Sequence, residues 1–66
     1  MPSTAIRAID YDEEHQRLLV RFVSGQRYAY DGVPAEVCRS FRESGSKGRF
    51  FQAKIRDRYP YRKLDS

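Results

Sequence analysis

Sixty-six residues are expected to make one small domain, and a chain of this length buries only about 60% of the surface its unfolded form exposes, so its core must be economical. With 39% hydrophobic and 14% aromatic residues it can still build a core, because five Tyr and four Phe each bring roughly 150 Å² of buriable surface, and this argues against intrinsic disorder. The net charge of +4 is unevenly spread: residues 1–45 hold six Arg against seven Asp or Glu, whereas residues 46–66 hold seven Lys or Arg against two Asp.

That asymmetry points to a polyanion or an acidic protein face as partner, the plainer reading being a solvated face that keeps a small protein soluble. The longest aliphatic run, Leu18-Leu19-Val20, is far too short for a membrane span or a signal-peptide apolar region. The single cysteine, Cys38, cannot staple the fold, as expected in a reducing compartment. The expected location is cytoplasmic, without membrane contact.

In chain order, Met1 to Thr4 reads as an unstructured lead-in. Ile6 to Tyr11 reads as a strand with Arg7, Ile9 and Tyr11 on one side and Ile6, Ala8 and Asp10 on the other. Asp12 to Gln16 is a polar turn. It holds the one histidine, His15, with no second His or Cys at metal-ligand spacing, so no metal site is expected there. Glu13 and Glu14 lack the enclosure that would shift a carboxylate pKa for acid–base work.

Leu18 to Val23 carries the clearest strand pattern, with Leu18, Val20 and Phe22 facing the core. Arg27 to Asp31 forms a third strand, and the loop between them decides where its tyrosines point. A two-residue Ser24-Gly25 loop would set Tyr28 opposite Arg21. A three-residue Val23-Ser24-Gly25 loop, with the glycine left-handed and a bulge, sets Tyr28 opposite Val20 and Tyr30 opposite Leu18. The second register puts both rings on the apolar face and is the one expected. Core packing is the expected role of the two rings, with base stacking as the alternative.

Asp31-Gly32-Val33-Pro34 ends the sheet, and a helix runs to about Glu43 with Val37 and Phe41 buried beside Cys38 and Pro34. Ser44-Gly45 stops it. Ser46 should cap a second helix, its hydroxyl accepting from the backbone N–H of residue 48 or 49. In that helix Phe51 and Ile55 form the buried stripe with Arg58 on the same side, while Arg49, Gln52 and Arg56 share another face. Tyr59-Pro60 ends it, and Tyr61 to Ser66 is expected to trail as a basic tail.

The sequence therefore predicts an α+β domain, a three-stranded antiparallel meander followed by two α-helices packed on one face (β-β-β-α-α). The ordered set Tyr11-Asp12, Leu18-x-Val20-x-Phe22, Gly25, Tyr28-Ala29-Tyr30, Val33-Pro34, Ser46-x-Gly48-x-Phe50-Phe51 and Ile55-Arg56 resembles the KTSC domain family. The resemblance runs from about Ile6 to Tyr61, taken as the ordered core of a single domain spanning 1–66. The family is a small module seen alone in bacteria and phages and at the C-terminus of some lysyl-tRNA synthetases. It implies no established activity; attachment to a tRNA enzyme suggests RNA binding. Gln52 stands where the family pattern suggests Asn.

No nucleophile–base pair, carboxylate pair or metal cluster stands out, so no catalytic residue, cofactor or small-molecule substrate is assigned and no enzyme activity is expected. The expected function is an accessory module that binds RNA, either tRNA or single-stranded. The residues assigned to nucleic-acid or anion binding are Ser46, Lys47, Gly48, Arg49, Arg56, Arg58, Tyr59 and Tyr61. At Ser46 to Arg49 a phosphate could meet the unpaired amides of a helix start, the plainer reading being a helix cap. The alternative function is a protein-interaction or homodimerising module that uses the exposed sheet edges.

Overall fold

Alternation of Leu18, Val20 and Phe22 with more exposed neighbours builds the central hairpin of the computed structural model, which describes residues 5–64. The predicted lead-in lies outside those residues. Strands β1 (Ile6–Asp12), β2 (Arg17–Phe22), β3 (Arg27–Asp31) and β4 (Tyr61–Leu64) pair antiparallel in the order β1-β2-β3-β4. Helix α1 (Ala35–Glu43) and a short α2 (Lys47–Phe50), which continues as a π-helical turn over Phe51–Ile55, come between β3 and β4.

The β2–β3 register is the expected one. Val20 faces Tyr28 and Leu18 faces Tyr30, and the loop closes through Phe22 N–H to the Gln26 carbonyl at 2.9 Å, with Gly25 at φ 98°. Only a residue without Cβ takes that left-handed conformation at no steric cost. In β1 a bulge between Ile6 and Ala8 breaks strict alternation, setting Ile6 opposite Phe22 while Ile9 and Tyr11 oppose Val20 and Leu18. Ile6, predicted to face away from Ile9 and Tyr11, therefore packs on the same core with them.

The meander has four strands, not three. Residues predicted to trail as a tail form β4, with Tyr30 opposite Tyr61 and Tyr28 opposite Lys63. Pro60 turns the chain into register: its carbonyl accepts from Asp31 N–H at 2.9 Å, so the residue read as a helix stop also opens the last strand.

One core joins the layers. Leu18, Val20, Phe22 and Tyr30 from the sheet meet Val33, Cys38, Phe41, Phe51 and Ile55, and Phe41 stacks on Phe50 at 5.2 Å. The Tyr11 hydroxyl donates to the Val33 carbonyl, tying β1 to the entry of α1. Among the described residues no helix is long and apolar enough to cross a membrane.

Helix two departs from its predicted geometry. Arg56 N–H donates to the Phe51 carbonyl at 2.9 Å, five residues back, which widens the last turn. An α-helix would set Arg49 and Arg56 on one face and Phe51 beside Arg58. The π-helical turn brings Phe51, Arg56 and Asp57 to one hollow and Phe50, Lys54 and Arg58 to another.

Candidate functional site

Where β3, β4 and the π-helical turn converge, the inward face of the sheet is only partly roofed. The gap is a hollow of about 280 Å³ lined by Phe22, Gln26, Tyr28, Tyr30, Phe51, Arg56, Asp57 and Tyr61. Strand pairing supplies the tyrosines: Tyr28 and Tyr30 are two apart on β3, and Tyr61 is the partner of Tyr30 on the edge strand. The Tyr61 ring lies 5.4 Å from that of Tyr30 and 5.6 Å from that of Tyr28, tilted by 32° and 52°.

The three rings differ in exposure, and so in what they can do. Tyr30 is 3% exposed and wedged edge-on against Phe51 at 5.5 Å. Burial, with the neighbouring Tyr61 and Tyr28, pushes its hydroxyl pKa up to about 12. It is the floor. Tyr28 is half-buried and braced edge-on by Phe22 at 5.5 Å, while Tyr61 is 57% exposed. These two leave aromatic surface accessible, and the exposed Arg56 and Asp57 line the same hollow.

Of the residues assigned from sequence, only Arg56 and Tyr61 meet in this hollow. Arg58 and Tyr59 lie at a different, more open hollow beside Val37, Phe50 and Lys54, where Tyr59 packs against the core. Ser46, Lys47, Gly48 and Arg49 sit at the corner between α1 and α2. There the Ser46 hydroxyl makes no capping bond, and Ser44 holds the corner, its hydroxyl accepting from Ser46 N–H at 3.1 Å and donating to the Ser46 carbonyl at 3.0 Å. The Lys47 ammonium donates to the carbonyls of Arg42 and Ser44 at 2.9 and 2.7 Å. Its charge thus satisfies carbonyls left open at the end of α1.

Sequence reading left Gln26, Tyr28 and Asp57 out of the site. The missing signal was a strand at Tyr61-x-Lys63, whose alternation after Pro60 is visible in the sequence but only two side chains long on the inward face. Away from the hollow, the β1–β2 turn brings donor atoms of Asp12, Glu14 and His15 within 4.8 Å of one another. His15 Nδ1 lies 2.8 Å from Asp12, and that hydrogen bond holds the Asp12 carboxyl below its ordinary range. The sequence here reads as a polar turn without a metal site because no second His or Cys marks it; Asp12 is half-buried, and Glu14 and His15 are exposed.

A four-stranded antiparallel sheet with helices on one face and a tyrosine-lined gap defines a small α+β module. The KTSC domain family model matches residues 2–59, and the chain belongs to that family. An uncharacterised protein of Stutzerimonas stutzeri is 38% identical over 66 residues, covering 98% of this chain and 93% of its own. A protein of Tsukamurella paurometabola is 39% identical over 57 residues, covering 86% and 85%. The crystal structure of a KTSC domain protein from Yersinia pestis superposes with a TM-score of 0.87 at 35% identity, covering 98% of this chain and 92% of the other.

Proposed function

We propose that this KTSC domain is a non-catalytic RNA-binding module that receives a single-stranded segment at the Tyr28–Tyr61 hollow. The observation that carries the reading is the meeting of two accessible tyrosine rings with the Arg56 guanidinium in one open hollow. Bases of any identity stack on such rings, and a guanidinium takes the adjoining phosphate. Further support is the position of Lys63, opposite Tyr28 on the same inward face, and the concentration of positive charge after residue 45.

Titration with single-stranded RNA at several salt concentrations tests this. Log affinity falls with log salt at a slope near −0.7 per phosphate engaged, and Arg56→Gln shrinks the slope by roughly 0.7. Arg7→Gln and Arg21→Gln, from the charge-balanced part of the chain, leave it unchanged. Equal losses in all three variants mean general attraction to a basic protein. Absence of RNA binding at low salt favours the protein-interaction reading, in which the β4 edge accepts another strand.

A further inference from the structure

Asp57 is out of place in a hollow meant for a polyanion. It is one of two acidic residues after position 45, it stands next to Arg56, and its exposed carboxylate lines the same hollow as the stacking tyrosines. Among the described residues it has no hydrogen-bond or ion-pair partner, so it does not anchor the turn and forms no ion pair with Arg56. A negative charge there repels phosphate and lowers affinity for RNA of every sequence, unless the ligand brings donors to meet it.

An ionised carboxylate only accepts hydrogen bonds, and it does so through two oxygens side by side. Guanine alone among the four RNA bases offers two adjacent donors, N1–H and the 2-amino group, on its Watson–Crick edge. Adenine and cytosine each set one amino donor beside a ring-nitrogen acceptor, which would face the second carboxylate oxygen. Uracil sets one N–H between two carbonyls. We infer that the hollow selects guanine, stacked against Tyr28 and Tyr61, with the Asp57 carboxylate accepting from N1–H and the 2-amino group while Arg56 holds phosphate. This rests on the RNA-binding reading and adds base identity to it: stacking supplies affinity for any base, and the carboxylate discriminates.

Fluorescence anisotropy with labelled heptanucleotides, uracil throughout except for a central G, A, C or inosine, tests the inference on the native chain and on Asp57→Asn. Because Asp57 is exposed and unpartnered, the variant keeps the fold. The native chain should bind the central-G strand about tenfold more tightly than the central-A strand, with inosine, which lacks the 2-amino group, between them. Asp57→Asn should remove the preference while holding or tightening binding to the A strand, since a repulsive charge is gone. Equal binding of G and A by the native chain, or a preference that survives Asp57→Asn, overturns guanine selection and leaves RNA binding standing. Failure of the native chain to bind any strand overturns both.

Discussion

The inward face of the sheet is closed at one end and open at the other. At the β2 end, Leu18 is 0% and Val20 1% exposed, sealed beneath Phe41, Phe51 and Ile55. At the β4 end, Tyr61 is 57% exposed and Lys63 faces solvent. The same strand geometry produces a dry core in one place and an aromatic hollow in the other, because the short helical segments do not extend over the last strand. Side-chain choice follows the roof: aliphatic residues where water is excluded, tyrosines where a ring needs an apolar body and a wet hydroxyl.

The largest effect should come from breaking the closed end. Phe41→Ala removes a fully buried ring and should cost about 3–5 kcal/mol, comparable with the total expected of so small a domain. Tyr61→Ala, at the open end, should cost less than about 1 kcal/mol while weakening RNA binding. Denaturant midpoints of the two variants check the contrast. Similar midpoints would show that the edge strand shares the load of the core.

Next in size is the pH dependence contributed by the floor of the hollow. The Tyr30 hydroxyl titrates near 10 in the unfolded chain and at about 12 in the folded one. Between those values the unfolded chain releases the proton first, so stability present below pH 10 declines as pH rises, by up to about 1.4 kcal/mol per pH unit. Tyr11, also raised by desolvation, adds to the slope in the same direction. Tyr30→Phe should therefore flatten the alkaline decline measured by urea unfolding without abolishing it. An unchanged decline would mean that the Tyr30 hydroxyl is as wet as that of Tyr61.

The smallest effect sharpens which cations belong to the open end. Lys47→Met removes two hydrogen bonds to the end of α1 and should cost roughly 1 kcal/mol, leaving RNA affinity and its salt slope as they were. A reduced salt slope in this variant, measured by titration, would return the α1–α2 corner to the interface.

Much of this molecule was legible in its sequence because burial was strong where the pattern was strong. Leu18, Val20 and Phe22 announced the central strand, and the choice between a polar and an apolar partner for Tyr28 settled the hairpin register. Both helices were visible from Val37, Phe41, Phe51 and Ile55. Harder to see were features that depend on one extra residue: the β1 bulge that swings Ile6 inward and the wide helical turn over Phe51–Ile55. Neither alters composition or periodicity enough to stand out in so short a segment. The candidate hollow was half legible. Arg56 and Tyr61 could be named from charge and aromaticity, but their meeting with Tyr28 and Asp57 required β4, four residues whose exposed pattern resembles a tail.

The division between the closed and the open end is tested most directly by following backbone amides in NMR while single-stranded RNA is added. The account predicts that signals of Tyr28, Arg56, Asp57, Tyr61 and Lys63 shift first and furthest, while Leu18, Val20 and Phe41 stay in place. Shifts centred on Ser46 to Arg49, or spread evenly over all the basic residues, would contradict it.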